Sequence, residues 1–389
     1  MKFSCKTSDF LQALQLVTRA ISGQQALPIL GNVLIEVEGK RCTVSATDLE
    51  LSIVTSFEAN IENEGAITVP AKAILNFAQY NSDNEVLLET SEGTQLKCTS
   101  AQAKTLISGE SASEYPTITP IEKETTFSLD SAPLLEALNK VTFASAKTTL
   151  RPVLSGVYVK LDKEKIILVA TDSYRLSEYT IKTDVGGASL SCIIPAKVLE
   201  EVKSILGSKK GDKETSSTKK NEEEKESEPK KQKVEIALSS QQIEIQIGQT
   251  HLLSRLIDGK FPDYQQIIPK DAKTKVTLST KELTTVVKRM HYFAKEINNN
   301  LTVALSKTGI HIATPQTQAG KDETTLQGEV KGDENKIALS SSYLLDFLSH
   351  TEDNTVEMHL TDSMHPAVFH LPSNNLYLHL IMPLRIQEE

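Results

Sequence analysis

The sequence contains no tryptophan, few cysteines and only 5% aromatic residues. The cysteines lack the spacing of metal ligands, and three of them fall in strand-like segments, so we interpret them as buried free thiols. No apolar run of about 18 residues occurs, which predicts no membrane span. The first residues also lack a signal peptide's apolar core, and we expect a cytoplasmic protein. The cysteines are Cys5, Cys42, Cys98 and Cys192.

The motifs of common enzyme classes are absent too. No G-x-S-x-G, P-loop or G-x-G-x-x-G sequence occurs, and the eight histidines show no helical metal-ligand spacing. We therefore assign no catalytic residue, no metal ligand and no cofactor. The formal net charge of −9 argues against general phosphate binding, but it does not report how charge is distributed over the surface.

The chain contains a motif three times over. A strand-like triplet followed by an amphipathic helical segment begins at Phe3, at Phe127 and at Val276, which are 124 and 149 residues apart. The excess of 25 residues in the second interval matches a charged segment at residues 208–233. A period near 124 residues predicts three whole domains of one fold.

Each copy has the order strand, helix, several strands, helix, several strands. Residues 33–37, 42–45 and 53–55 have strand patterns, whereas residues 71–80 have a helical one. This order predicts an α+β fold in which two helices pack on antiparallel sheets in each domain. We expect domains at residues 1–122, 123–266 and 267–389, and six helices in the chain.

The segment at residues 208–233 has nine lysines, seven acidic residues and no aliphatic side chain. It cannot bury apolar surface, so we predict a disordered surface insert within the second domain.

Two Ala-Thr-Asp triplets end at Asp48 and Asp172. Paired carboxylates can bind Mg²⁺ or carry acid–base chemistry. Alternatively, the threonine and aspartate end a strand and cap the following turn. Because both triplets occupy the same place in duplicated domains, we favour the capping interpretation.

The predicted helices carry eight basic and six acidic side chains, a sum of +2 in a chain of −9. Ordinary solvated helix faces explain this count. If all six helices faced one surface, that surface would be more positive than the rest.

The order and spacing of several segments resemble those of the bacterial DNA polymerase III beta subunit, the sliding clamp. The resemblance covers the whole chain except the insert. It is carried by residues 27–32 (LPILGN), 46–50 (ATDLE), 169–176 (VATDSYRL), 258–264 (DGKFPDY) and 382–385 (MPLR).

This resemblance implies a head-to-tail homodimer that closes into a ring, with helices lining the hole and sheets outside. It implies a processivity factor that holds double-stranded DNA topologically and without sequence readout. The implied partners are the DNA polymerase III alpha subunit, the clamp loader and other proteins with a clamp-binding motif.

The resemblance also implies three groups of functional residues. A partner-peptide groove would contain Arg151, Leu154, Thr171, Ser173, Tyr174, Arg175, Leu176, Pro262, Ile267, Met382, Pro383, Leu384 and Arg385. The DNA-facing residues would be Arg19, Gln24, Lys72, Lys140, Lys197, Lys203, Lys281 and Lys288. The dimer contact would join Lys104 and Ile107 of one chain to Tyr292 and Phe293 of the other.

The chain departs from the family pattern at the groove. Ser173 and Tyr174 stand where glycine and histidine are familiar, Gln266 replaces a basic residue, and residues 387–389 extend the usual end. Gln24 also stands where an arginine is expected. Two other hypotheses remain open: a metal-dependent nuclease that uses Asp48 and Asp172, and a peptide-binding scaffold that does not bind DNA.

Overall fold

A computed structural model describes residues 1–23, 27–91, 94–148, 150–187, 189–214 and 232–386, with the backbone alone for 209–214. In the described part of the chain there are six α-helices and 26 strands. Their order repeats three times, as the sequence predicts. The first repeat contains β1 (Lys2–Lys6), α1 (Thr7–Val17), β2 (Asn32–Glu38), β3 (Arg41–Thr47), β4 (Leu51–Glu58), β5 (Asn60–Asn63), β6 (Gly65–Pro70), α2 (Ala71–Gln79), β7 (Glu85–Ser91), β8 (Gln95–Thr99) and β9 (Lys104–Ser108).

The second and third repeats have the same succession. The second contains β10 (Thr125–Asp130), α3 (Ser131–Val141), β11 (Gly156–Asp162), β12 (Lys165–Thr171), β13 (Arg175–Lys182), β14 (Ser189–Pro195), α4 (Ala196–Glu214), β15 (Lys233–Leu238), β16 (Gln242–Ile247) and β17 (Thr250–Arg255). The third contains β18 (Thr274–Ser279), α5 (Thr280–Ala294), β19 (Asn300–Ser306), β20 (Gly309–Ala313), β21 (Glu323–Leu326), β22 (Glu329–Gly332), β23 (Asn335–Ser340), α6 (Ser341–Ser349), β24 (Thr355–Leu360), β25 (Ala367–Leu371) and β26 (Asn374–Ile381).

The repeats agree at the level of single hydrogen bonds. The first residue of α1, Thr7, donates its backbone N–H to the carbonyl of Asn84, which precedes β7. Ser131 donates in the same way to Gln232, and Thr280 to Asn354, all three at 2.9 Å. In every repeat the helix that follows the first strand is therefore tied to the strand that pairs with it.

The chain divides into two compact units that cut across the middle repeat. One consists of Met1–Ser131 with Ser204–Leu256, the other of Ala132–Lys203 with Ile257–Glu389. The division follows the strand pairing, because β17 pairs with β4 of the first repeat whereas β13 pairs with β26 of the third.

Each unit contains two antiparallel sheets in its described residues. The first unit has a five-stranded sheet, β5-β1-β7-β8-β9, and an eight-stranded sheet, β10-β15-β16-β17-β4-β3-β2-β6. The second has a nine-stranded sheet, β14-β11-β12-β13-β26-β25-β24-β18-β22, and a four-stranded sheet, β21-β20-β19-β23. Strand β9 lies at one end of the five-stranded sheet, and β21 lies at one end of the four-stranded sheet.

The amphipathic patterns explain the layers. In α1 the buried residues Phe10, Ala13, Leu14 and Val17 recur at intervals of three and four, which places them on one helix face. In the strands alternate residues are buried, for example Phe3 and Cys5 in β1. Helices and sheets therefore share apolar cores. The helix expected at residues 71–80 is α2, which ends at Gln79.

The prediction for the charged insert needs a correction at its edges. Helix α4 continues to Glu214, and β15 already begins at Lys233, so the first and last residues of the segment are in regular structure. Lysine and glutamate are good helix formers, so the start of the insert can continue α4. Residues 215–231 lie outside the described residues. None of the described helices is both long and apolar enough to span a membrane.

Candidate functional site

The groove residues of the second unit surround one apolar cluster. Leu154 and Leu176 are buried at its base, and Met382 packs against the same cluster from the chain's end. Other members come from the sheet and from the segment after β17: Val169, Ile193, Phe261, Tyr264, Val368 and Leu380. Above this base stand exposed apolar side chains, with Tyr174 61% and Ile267 41% exposed. The structure thus brings the middle and C-terminal portions of the predicted groove together.

The turn between β12 and β13 forms one wall. The Asp172 carboxylate accepts hydrogen bonds from the backbone N–H groups of Tyr174 and Arg175 at 2.9 and 3.0 Å. The Thr171 hydroxyl accepts from the N–H of Ser173 and donates to the carbonyl of Arg175. These bonds hold Ser173 at a φ of 80°, and they turn Tyr174 outwards.

The first repeat builds the same turn. Asp48 accepts from the N–H groups of Glu50 and Leu51, Thr47 accepts from that of Leu49, and Leu49 has a φ of 75°. The capping interpretation of the two Ala-Thr-Asp triplets is confirmed. In the described ranges no group of three or more His, Cys, Asp or Glu side chains could hold a metal ion.

Arg175 supports this wall from inside the chain. It is 4% exposed, and its guanidinium donates to Asp172, to Asp346 of α6 and to the carbonyl of Phe143. It also lies 4.7 Å from the centre of the Tyr343 ring. Its charge is compensated by these carboxylates, so Arg175 positions the rim and presents no free charge.

The C-terminal segment lies beside this turn and is held by backbone bonds. The N–H of Met382 donates to the carbonyl of Tyr174 at 2.8 Å, and the N–H of Leu384 donates to that of Ala338 at 2.7 Å. Asn300 donates to the carbonyl of Arg385 at 3.0 Å. Pro383 lies between these anchored residues and is half-buried.

The remaining groove residues lie at its edge. Arg151 is exposed, and its guanidinium is 3.4 Å from the Ser173 hydroxyl. Pro262 is exposed beside the buried Phe261. Gln266, which replaces a basic residue of the family, donates to Asp263. Residues 387–389 lie outside the described residues.

Sequence reasoning missed Tyr343 at this site and Met364 at the same end of the sheet. The ring of Tyr343 stacks on that of Tyr174 with centroids 6.3 Å apart, so it extends the wall. Met364 is 80% exposed in the loop between β24 and β25. That loop lies at the Met382 end of the sheet, because Ala367 pairs with Ile381. The signals in the sequence were a tyrosine in the first turn of a predicted helix and a lone apolar residue in a polar loop.

Of the DNA-facing residues, five are exposed: Arg19, Lys72, Lys197, Lys281 and Lys288. Lys203 is half-buried and pairs with Glu200. Gln24 lies outside the described residues.

Lys140 differs from this expectation. It is 7% exposed, its ammonium donates to the carbonyl of His350 at 2.7 Å, and it lies 5.6 Å from the Tyr377 ring centre. Burial lowers the pKa of Lys140. Because α3 turns this position towards the third repeat's residues, Lys140 is a packing residue and does not offer a free charge to DNA.

The expected dimer residues also need one correction. Lys104 and Tyr292 are exposed, and Phe293 is half-buried with its ring 5.3 Å from that of Tyr292. Ile107, however, is only 5% exposed. It pairs with the buried Leu96 and faces the core of its own domain. Alternation along β9 exposes its neighbour Leu106 instead, at 57%.

The cysteines are free thiols, as predicted. Cys5, Cys42 and Cys98 are buried, and burial raises the pKa of Cys5, Cys98 and Cys192 to about 12. A thiol protonated at neutral pH is a poor nucleophile and a poor metal ligand.

Comparison with known proteins gives one consistent result. Three models of the DNA polymerase III beta subunit match: the N-terminal domain at residues 1–119, the central domain at 128–221 and the C-terminal domain at 265–385. The beta sliding clamp of Synechocystis is 28% identical, with 99% of this chain and 100% of that protein covered. The structure of the Thermotoga maritima beta subunit has 26% identity and a TM-score of 0.88, and that of the Bacillus subtilis sliding clamp has 25% and 0.89. Each covers at least 99% of this chain and 100% of its own.

Proposed function

Because the chain belongs to the DNA polymerase III beta subunit family, we propose that it is a DNA sliding clamp, a processivity factor without catalytic activity. It encircles duplex DNA and tethers the replicative polymerase in the cytoplasm. The observation that carries this function is the threefold repeat together with two edge strands, one in the first repeat and one in the third. Within the described residues, β9 ends the first unit's five-stranded sheet and β21 ends the four-stranded sheet of the second.

Two chains complete the ring. Inside the chain the corresponding junctions are made by antiparallel pairs, β4 with β17 and β13 with β26. A second copy in head-to-tail orientation pairs its β9 with β21, and the same contact closes the other side. Three domains per chain, bounded near residues 122 and 266, then give six domains around the hole.

The DNA contact is weak and independent of sequence. Exposed basic residues on or next to the helices, such as Lys72, Lys197 and Lys281, face the hole, while the chain as a whole is acidic. Scattered lysines hold phosphates loosely and let the ring slide. The threading of DNA through a closed ring, and not phosphate affinity, prevents dissociation.

The groove recruits partners. Short motifs of the polymerase alpha subunit, the clamp loader and other replication or repair proteins insert aliphatic and aromatic anchors over Leu154, Leu176 and Met382. A few buried anchors dominate such an affinity. The exposed ring of Tyr174, which stacks on the half-buried Tyr343, favours an aromatic or proline side chain at the motif's end.

Retention on circular DNA tests the topological mechanism. The protein is loaded on a nicked plasmid by a clamp loader and passed over a gel-filtration column in high salt, which removes phosphate contacts. We expect the protein to stay with the circle and to be lost after linearisation. Equal retention on both forms indicates ordinary DNA binding. Loss from both, with peptide binding intact, favours the scaffold hypothesis.

A further inference from the structure

Two tyrosines are the most exposed aromatic side chains in the part of the chain that the structure describes. Tyr80 is 77% and Tyr292 is 70% exposed. Covering exposed rings of this size with a partner contributes favourable free energy. Their positions in the repeats indicate what covers them.

Tyr80 corresponds to His350 in the third repeat. Both residues directly follow the second helix of their repeat, α2 or α6. Their backbones are alike, with φ and ψ of −102° and 14° for Tyr80 and of −103° and 15° for His350. Four residues later, Asn84 and Asn354 accept the equivalent bond from the first helix. The two positions are therefore structurally equivalent.

Tyr292 corresponds to Phe143 in the second repeat. Each lies 14 residues after the last buried leucine of the preceding strand, Leu278 or Leu129. The buried helix positions between them agree without a gap: Leu134, Ala137, Leu138 and Val141 in α3, and Leu283, Val286, Val287 and Met290 in α5.

Within the second unit, Phe143 and His350 are in face-to-face contact. Their ring centroids are 4.2 Å apart and their planes are inclined by only 7°. The contact lies where the second repeat meets the third, beside the pairing of β13 with β26. The second and third repeats are thus joined by a stack at two helix ends. One is the end of the first helix of the second repeat, α3, and the other is the end of the second helix of the third repeat, α6.

We propose that Tyr292 of one chain stacks on Tyr80 of a second copy and that this aromatic contact helps to close the ring. The proposal rests on the ring-forming function above, because it places the third repeat of one chain against the first repeat of the other. The repeat equivalence then brings together the two tyrosines that are exposed in the single chain. Both hydroxyls can stay hydrated at the edge of such a stack, which suits tyrosine better than phenylalanine.

A double-mutant cycle on dimer dissociation tests the contact. The Kd of the dimer is measured by mass photometry for wild type, Tyr80→Ala, Tyr292→Ala and the double variant. We expect each single change to weaken the dimer about tenfold and the double change to add little more, because both remove one contact. Tyr80→Phe should retain most of the affinity. The control is Tyr174→Ala, an exposed tyrosine of the groove, which should leave the Kd unchanged.

The outcomes separate this contact from the ring itself. If wild type is a dimer and the two single substitutions do not change its Kd, the stack is overturned and the ring remains. The same holds if their effects add fully in the double variant. A wild-type monomer at all concentrations overturns the ring, and the stack with it.

Photo-cross-linking gives an independent readout that does not depend on stability. With p-benzoylphenylalanine in place of Tyr80, we expect an intermolecular adduct that maps to the α5 end around Tyr292. An adduct elsewhere on the second chain contradicts the proposal.

Discussion

At the scale of single residues, one of the two Ala-Thr-Asp turns also supports a buried charge. Asp48 and Asp172 cap the same kind of turn, and Asp172 in addition accepts a hydrogen bond from the buried Arg175. The turns are local structures that a short motif encodes. Their energetic value depends on the neighbours that the fold supplies.

Asp172→Ala should therefore destabilise the chain by more than the loss of a turn cap alone, which costs about 1 kcal/mol. Removing Asp172 leaves a buried guanidinium with one carboxylate fewer, and we expect a loss of about 2–3 kcal/mol in the free energy of unfolding. Chemical denaturation at one fixed protein concentration measures it. A loss of only about 1 kcal/mol contradicts the role given to Arg175. Mg²⁺-dependent nuclease activity that vanishes in Asp172→Ala would revive the enzyme hypothesis.

His379 makes a second prediction at this scale. It is fully buried, with its Nδ1 2.7 Å from the Ser177 hydroxyl, and burial lowers its pKa well below the usual value, with Arg175 and His350 acting in the same direction. An imidazole with a lower pKa in the folded chain binds a proton more readily when unfolded. The contribution of His379 to the free energy of unfolding should therefore be fully present above about pH 7. It should decrease as the pH falls below about 6.5.

The slope contributed by one such histidine is at most about 1.4 kcal/mol per pH unit. Denaturation between pH 7.5 and 5.5 measures it. His379→Gln removes the titrating group and should flatten the profile, although His350 and His370, whose pKa values burial also lowers, keep part of it. An unchanged slope in this variant places the titration elsewhere.

At the scale of elements, the C-terminal segment after β26 contributes a residue to the proposed groove. It is held to Tyr174, Ala338 and Asn300 by hydrogen bonds, while its Met382 side chain packs on the groove base. A terminal segment usually frays unless such bonds hold it.

Deleting residues 382–389 should abolish binding of a clamp-binding peptide, because one wall of the groove is lost. The dimer should persist, since the deleted residues include none of those assigned to the subunit contact. Fluorescence polarisation with a labelled peptide and light scattering measure the two effects. Deletion of residues 387–389 alone is the control and should retain binding. A monomeric product of the longer deletion argues against the groove assignment.

Replacement of the charged insert should leave the stability of the chain nearly unchanged. Its residues 215–231 contain no aliphatic side chain, so they contribute no apolar surface to a core. Replacing them by a short Gly-Ser linker should change the melting temperature by no more than about 2 °C. Deletion of α4 residues upstream of Glu214 is not equivalent, because that helix contains the buried Val202 and Ile205. A large fall for the linker variant would show that the insert is part of the folded structure.

At the scale of the whole molecule, a ring depends on contacts that one chain cannot make with itself. Phe293 is half-buried beside the exposed Tyr292, and Leu106 is exposed on β9. An apolar centre of this kind suits a stable subunit contact.

Phe293→Asp should weaken the dimer about a hundredfold or more, since closure would bury a charge at an apolar contact. Light scattering in line with small-angle X-ray scattering at dilution measures the mass and the hollow profile. The control is Met364→Asp, which changes an exposed apolar residue outside the proposed subunit contact and should keep the dimer mass. An undiminished dimer in Phe293→Asp counts against that contact.

The sequence by itself determined the threefold repeat, the α+β order and the capping role of Asp48 and Asp172. These features depend on local periodicity and on turn chemistry, which are written in neighbouring residues. The three family models match residues 1–119, 128–221 and 265–385. The composition of the groove stays a prediction from the resemblance. The contact of Tyr343 with Tyr174 could not be predicted, because Tyr343 comes from a distant element.

Only the tertiary structure decided which of two adjacent apolar residues on β9 faces the core, and it selected Ile107. It also decided that Lys140 and Arg175 are buried and compensated by groups far away in the chain, at His350 and Asp346. The physical reason is that burial and charge compensation depend on which layers meet. A local pattern specifies that a side chain lies on a face, and the packing of distant elements decides whether that face meets water or a partner.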